Sequence, residues 1–407
     1  MHDKEDDGNA KQEVRLTIPL GISQQLLKIE ERINIPYFDI HDFLVEFDIP
    51  CVDLHNFGVI STENHNTRHN LHPLGTGHSC SVIQHVTTRD IPLNVEKVLE
   101  SGTLVALKQF HVAYGKERPT DETASRRTTC QSFLRELEML SIPRLRAHEN
   151  ICHLLFVGWL GDSPIPALAL ELADFGSLEE ILVGEGYGLS FPQKMHITVD
   201  MALGLAAIHA CGFVHGDLKP ANVVLFQHEV RQVVAKITDF GGSGVAPSCN
   251  TETSQGGPVL ATAAWCAPEV AYLDHICDWQ KADSYAYGLI VASVWSRPEQ
   301  LLGPRSSSCI LEFMLELNLE TEEERDFFLL IKSQPDSSEH SVTQLCCQWL
   351  RCRDEDVSQL IRNIICETLH RDAAERNSIA CILNTHIQGL SDRNSLPHRL
   401  YIGDSDQ

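Results

Sequence analysis

Long apolar runs are missing from this sequence: nowhere do eighteen consecutive apolar residues occur, so no segment reads as a membrane-spanning helix. Positive charge is scarce too, with 32 Lys and Arg against 56 Asp and Glu and a formal net charge of −24. That balance argues against nucleic acid or an anionic membrane as a main partner, since both reward clustered basic side chains, and it favours basic peptides as encounter partners. The opening Met1-His2-Asp3-Lys4-Glu5-Asp6-Asp7 is acidic and no apolar core follows it. No signal peptide is expected, and the protein is expected to be intracellular, cytoplasmic or nuclear. None of the 14 cysteines falls in a paired Cys-x-x-Cys spacing. Cys346, Cys347, Cys352 and Cys366, on helix-like apolar periodicity, therefore read as reduced, buried structural thiols rather than zinc ligands. Histidines 65, 69, 72, 78 and 85 show no ligand spacing and read as loop and surface residues. There is no internal repeat.

What the sequence has is a spacing of chemical groups. His215-Gly216-Asp217-Leu218-Lys219-Pro220-Ala221-Asn222 sets a carboxylate, an ammonium and a carboxamide within one short stretch. Phosphoryl transfer needs such a set: a carboxylate to take the acceptor hydroxyl's proton, a cation to offset charge on the transferred group, and an amide oxygen to help hold a metal ion. Downstream, the β-branched run 233–237 reads as a strand, and Thr238-Asp239-Phe240-Gly241 puts a second carboxylate at its end, where it can reach a metal. Alone, the first stretch reads equally well as a turn, and the second as a strand terminator.

Together they resemble the catalytic loop and Asp-Phe-Gly motif of protein kinases, and further motifs follow in that family's order. Leu74-Gly75-Thr76-Gly77-His78-Ser79-Cys80-Ser81-Val82 resembles the glycine-rich loop, with Gly75 and Gly77 at the first two glycine positions and Cys80 at the third. Leu104-Val105-Ala106-Leu107-Lys108 matches the Val-Ala-Ile-Lys strand. The helical run 133–140 supplies two acidic candidates to pair Lys108. Glu136 is preferred because Phe133 and Leu140 lie three and four residues from it, with Leu137 adjacent, so that it borders the buried face, whereas Glu138 points elsewhere. Ala267-Pro268-Glu269 resembles the end of the activation segment, Asp283-Ser284-Tyr285-Ala286-Tyr287-Gly288 the central helix of the larger lobe, and Arg376 falls where the family pairs an Arg with Glu269.

The resemblance implies an α+β, two-lobed protein kinase fold, with a small antiparallel-sheet lobe and a larger, mainly helical one. It implies ATP and Mg2+ as cofactors and proteins as substrates. Lys108 would orient the α and β phosphates, Glu136 would position Lys108, Asp217 would be the catalytic base, Lys219 would screen charge, and Asn222 and Asp239 would bind magnesium. Val82 would pack on adenine, the backbone of Glu171 and Ala173 would bond it, and Leu170 would limit the pocket's depth. The form Asp-Leu-Lys-Pro favours serine/threonine over tyrosine specificity. A pseudokinase is the rival from another class, kept open by Cys80 and Gly216. Retention of Lys108, Asp217, Asn222 and Asp239 weighs against it. A small-molecule kinase is disfavoured by Ala267-Pro268-Glu269 and Arg376.

Length alone allows two or three domains, and an apolar content of 43% is enough for a substantial core. The expected organisation is an N-terminal extension over 1–68, partly disordered and helical where it caps the small lobe; a small lobe over 69–171; a large lobe over 172–388; and a polar tail over 389–407. The polar insertion 114–131 reads as a mobile loop. Within it Thr129, just ahead of the Glu136 helix, is a candidate for a phosphate that would order that helix. Helix 192–209 should present Met195, Val199, Ala202, Leu203 and Ala206 to the core. Acidic 321–325 should open another helix. Gly216 replaces the Arg that in many kinases pairs a phosphorylated activation segment, and 242–264 contain no Lys or Arg. Activity is therefore expected to be largely independent of phosphate in that segment. Thr262 should support the substrate-side loop by hydrogen bonding alone.

Overall fold

The computed structural model describes residues 40–54, 73–76, 80–87, 90–93, 98–111, 119–159, 163, 165–183, 188–246, 262, 264–271, 278–296, 331–348, 350 and 352–387. Gly77, His65, His69, His72, His78, the tail 389–407 and the acidic run 321–325 lie outside them.

The chain begins with a short helix α1 (Ile40–Glu46) and a strand β1 (Cys51–Asp53). Strands β2 (Pro73–Thr76), β3 (Cys80–Val86), a minor hairpin of β4 (Ile91–Pro92) and β5 (Val98–Leu99), and β6 (Leu104–Phe110) follow. Helices α2 (Pro119–Ser141) and α3 (Pro143–Arg146) lead to β7 (Leu154–Trp159) and β8 (Ala167–Glu171). The main sheet has six strands in the order β1-β7-β8-β6-β3-β2, antiparallel except where β1 joins β7 in parallel. Val105 and Leu107 of β6 are fully buried, and their β-compatible, apolar character places this strand inside the sheet. The register sets Lys108 opposite Val82 on one side and Leu168 on the other.

Two expectations for this lobe are corrected. From Pro119 onward the insertion is helical, the first half of α2. Proline is tolerated in a first helical turn, and the Asp and Glu that follow favour the positive end of the helix dipole. Thr129 consequently lies inside α2 with 1% of its surface exposed, not ahead of the helix, and no phosphate can be added there without opening the core. His85, expected on a loop, sits in β3, where its ring nitrogens are shielded and burial lowers its pKa.

The second lobe contains α4 (Leu178–Val183), α5 (Phe191–Ala210), β9 (Phe213–Val214), the hairpin β10 (Val223–His228) and β11 (Gln232–Ile237), β12 (Gly244–Val245), α6 (Pro268–Ala271), α7 (Trp279–Ser296), α8 (Val342–Gln348), α9 (Glu355–Thr368) and α10 (Ile379–Ile382). The Gln193 side chain accepts from the Ser190 N–H at the start of α5, 2.8 Å away, and Asp354 caps α9 by accepting from Val357 N–H. The core-facing residues of α5 are Met195, Met201, Ala202, Leu205 and Ile208. Leu203, expected to face inward, is 39% exposed, one position off that face. Helix α7 is buried from Ala282 to Trp295 and forms the centre of this lobe. Of the four clustered cysteines, Cys346 and Cys347 are buried, but Cys366 is exposed, its Sγ 4.0 Å from Cys347 Sγ.

The chain is thus a two-lobed α+β fold: a twisted sheet with α2 against it, and a mainly helical lobe around α7.

Candidate active site

Lys108 is carried inward by β6 and is 3% exposed. A buried ammonium needs anionic partners. It has two, Glu136 Oε2 at 2.6 Å and Asp239 Oδ1 at 2.7 Å. Glu136 lies on the buried face of α2, as its helical spacing predicted; Glu138, two residues on, is exposed. Burial raises the Glu136 carboxyl, and Lys108 counters that rise. Burial also pushes the Asp239 carboxyl up, but the Lys108 ammonium outweighs it and holds Asp239 down at about 2, so this carboxylate is charged across the neutral range.

Asp239 follows β11 in a left-handed backbone conformation, φ 64 and ψ 74. This strained turn sends Phe240 into the core, 5.4 Å from the His215 ring, and leaves the Asp239 carboxylate facing the cleft with 40% of its side chain exposed. The approach to the turn is fixed by Asn150: its carbonyl accepts from Ile237 N–H at 2.9 Å and its amide nitrogen donates to Ala235 O at 3.1 Å. Gly204 on α5 permits this junction, because a Cβ there would stand 2.7 Å from the Asn150 carbonyl oxygen.

The second half of the site is the loop between β9 and β10. Asp217 Oδ2 accepts from Lys219 Nζ at 2.8 Å, and Oδ1 accepts from both the N–H and the hydroxyl of Thr262, at 2.8 and 2.7 Å. Lys219 Nζ also donates to the Thr262 hydroxyl oxygen, 2.9 Å away. Asn222, in a tight turn of residues 220–222, donates from its amide nitrogen to the Asp217 carbonyl at 2.8 Å. Among the described residues nothing donates to its amide oxygen or to Asp239 Oδ2. The pair is an all-oxygen donor set of the kind Mg2+ takes; Asp239 is bonded to Lys108, and Thr238 N–H beside it donates to the Asn222 carbonyl at 3.0 Å.

The loop itself is held from below. Asp283, near the start of α7, accepts from His215 N–H at 2.7 Å and from Gly216 N–H at 3.0 Å, while His209 Nε2 lies 2.9 Å from the same carboxylate. Burial raises the Asp283 carboxyl, but these donors and the nearby His215 more than offset it and leave it below its ordinary value. Gly216 has φ +80, the left-handed region where an L side chain is strained. Sequence reasoning had noted Asp283 only within a helix motif; nothing local in the sequence shows that it holds a loop 67 residues upstream.

At the outer end, Arg376 is 2% exposed and pairs with Glu269 through two bonds, 2.6 and 2.8 Å, while donating to the carbonyls of His370, Arg371 and Lys281. In the connection between lobes, Leu170 is buried at the end of β8. The Glu171 carboxylate turns away from the sheet to accept from Lys236 Nζ, at 2.7 and 2.8 Å, and from His153 N–H. Sequence reasoning missed that ion pair. Ala173 lies in the irregular stretch after β8, half-buried. Gly75 pairs with Val82 across β2 and β3.

The family model for the protein kinase domain matches residues 69–387. PTI1-like tyrosine-protein kinase 1 of Arabidopsis thaliana is 33% identical over 204 residues, 47% of this chain and 50% of that protein. RGS domain-containing serine/threonine-protein kinase A of Dictyostelium discoideum is 31% identical over 165 residues, 40% of this chain and 13% of that protein. The chain thus spans about half or less of the length of these relatives. Among the described residues no helix is long and apolar enough to cross a membrane. The match over residues 69–387 is most of the sequence, and the chain belongs to the protein kinase domain family.

Proposed function

We propose that this chain transfers the γ-phosphoryl group of ATP to serine or threonine hydroxyls of protein substrates. The observation that carries the reading is that two sets of contacts, Lys108 with Glu136 and Asp239, and Asp217 with Lys219 and Asn222, are joined where Thr238, the residue before Asp239, donates its N–H to the Asn222 carbonyl at 3.0 Å. Lys108, made rigid by two carboxylates, holds the α and β phosphates. Asn222 and Asp239 would hold Mg2+, which when bound neutralises charge on the phosphates. The acceptor hydroxyl gives its proton to Asp217 as its oxygen bonds to the γ phosphorus, the bond from that phosphorus to the β–γ bridging oxygen breaks, and ADP leaves. Lys219, touching Asp217 and Thr262, keeps a positive charge beside the transferred group. The backbone of Glu171 and Ala173, with Val82 and Leu170, forms the adenine pocket, and Gly75 and Gly77 cover the phosphates.

The relatives' names include both tyrosine and serine/threonine kinases. Serine/threonine specificity is favoured here by Asp217-Leu218-Lys219-Pro220, whose Lys219 reaches both Asp217 and Thr262. The charge of −24 suits basic protein substrates and disfavours nucleic acid. The test is incubation with labelled ATP, magnesium and peptide libraries offering Ser, Thr or Tyr alone. Wild type should label Ser and Thr peptides, and Asp217→Asn should lose transfer while keeping nucleotide affinity near wild type. Labelling confined to Tyr would overturn the specificity, and nucleotide binding without transfer to any library or to itself would favour a pseudokinase.

A further inference from the structure

Lys332 is a cation that the phosphotransfer scheme does not use. It is 2% exposed, beside the end of the substrate-side loop. Burying an ammonium costs several kcal/mol unless strong acceptors receive it. Burial pulls Lys332 down to about 8, opposed by Cys266 and Glu269 and assisted by Arg376. Its Nζ donates to the Cys266 carbonyl and lies 5.7 Å from the Tyr285 ring centre on α7. The next bonds lead directly to the catalytic carboxylate. Cys266 N–H and Trp265 N–H donate to the Thr262 carbonyl at 3.0 and 2.9 Å, and Thr262 donates through its N–H and hydroxyl to Asp217 Oδ1.

We propose that Lys332 is a positioning residue for phosphoryl transfer: by fixing the Cys266 carbonyl it sets the turn 262–266, and through Thr262 it aims the Asp217 carboxylate at the acceptor. Glu269 and Arg376 anchor the same segment at its far end, so Lys332 decides the end nearest the chemistry. The assignment deepens the phosphotransfer reading and rests on it. Lys332 makes no contact with Lys108, Glu136, Asp239 or Asn222 among those described, so its loss should leave nucleotide binding intact.

The test compares wild type, Lys332→Met and Lys332→Gln by peptide kinetics, nucleotide binding and amide hydrogen exchange. Met keeps the length and apolar stem but cannot donate; Gln keeps an uncharged donor. The Met variant should lose at least tenfold in kcat, with nucleotide Kd within twofold of wild type and faster exchange confined to 262–271. Gln should recover at least threefold of that loss without reaching the wild-type kcat. A Met variant within twofold of wild-type kcat, or one whose exchange rises equally in α7 and β11, overturns the proposal. If Met does not fold, Gln carries the test: selective exchange in 262–271 with a partial fall in kcat supports it, and wild-type values of both overturn it. Should wild type itself transfer no phosphate, the phosphotransfer reading fails, while exchange in 262–271 still reports whether Lys332 holds the loop.

Discussion

Asp283→Asn is the substitution whose cost the structure lets one work out bond by bond. The carboxylate receives three donors: His215 N–H and His209 Nε2 at one oxygen, Gly216 N–H at the other. An Asn has a single acceptor oxygen. Turned toward His215 it keeps two of the three donors and presents its own amide N–H groups to the Gly216 N–H; turned the other way it keeps only one. The first orientation wins, leaving a buried donor facing a donor at a cost of about 1–3 kcal/mol. The two surviving bonds fall from charge-assisted to neutral, a loss of about 1 kcal/mol each. The total is about 3–5 kcal/mol of stability. Because the orphaned Gly216 amide adjoins Asp217, kcat should fall by about one to two decades, the equivalent of roughly 1.4–2.7 kcal/mol of barrier. Denaturant unfolding measures the first effect and steady-state peptide kinetics the second. The pH dependence supplies a further check. The folded Asp283 carboxyl lies below its ordinary 3.8, so its stabilisation is fully present above that value and is lost as pH falls through the lower folded value. Asn has no such titration and should flatten this part of the acid limb. An Asn variant within about 1 kcal/mol of wild-type stability, with kcat within twofold, would refute the account.

Two further outcomes are expected. Phosphatase treatment, or Ala at Ser248, Thr251, Thr253 and Ser254 together, should change turnover by less than about tenfold, since Gly216 provides no guanidinium to order such a phosphate; a larger fall would show that another basic residue replaces the Arg. Arg146→Ala should loosen the N-terminal segment, because Arg146 donates to the carbonyls of Phe47 at 2.8 Å and Asp48 at 3.1 Å; limited proteolysis within 40–54 should speed up at least threefold, and unchanged cleavage would show that the strand pairing alone suffices.

Legibility in the sequence followed the range of the interactions involved. Glu136 could be chosen over Glu138 because a 3.6-residue period is a local property, and Lys108 could be placed because its strand is a continuous apolar run. Asp217, Lys219, Asn222 and Asp239 were legible as groups in short motifs, and the fold brings them to one cleft. Asp283 and Lys332 were not legible as supports, because the bonds by which they hold the loop go to backbone atoms tens of residues away, and a backbone carbonyl or amide leaves no mark in sequence. The first half of α2 was misread for a compositional reason. Its Thr, Asp, Arg and Glu looked like loop, whereas acidic residues in a first helical turn are compatible with the helix dipole. Strand β1 was missed because three residues beside Pro50 carry no period; it exists through its pairing with β7.

The two halves of the site are held in different ways, and this bears on control. On the loop side, the described supports of Asp217 lie in one lobe: Thr262 and Lys219 at the carboxylate, Asn222 at its carbonyl, Asp283 at the backbone of His215 and Gly216, and Gly216 in a conformation that suits glycine. None of these contacts requires an added phosphate. On the sheet side, Glu136 reaches Lys108 only if α2 stays against β6, and α2 runs into α3, whose Arg146 grips the segment before β1. That segment also extends the sheet, with Val157 N–H donating to Pro50 O and Leu54 N–H to Trp159 O, and it adds Ile40, Leu44 and Ile49 to the same core cluster as Leu137 and Leu140 of α2. Residues 40–54 precede the region matched by the family model, yet they are packed as part of the lobe that positions Lys108. The placement of Glu136 on Lys108 thus depends on how α2, α3 and the N-terminal segment pack together, whereas the described contacts of Asp217 lie within one lobe.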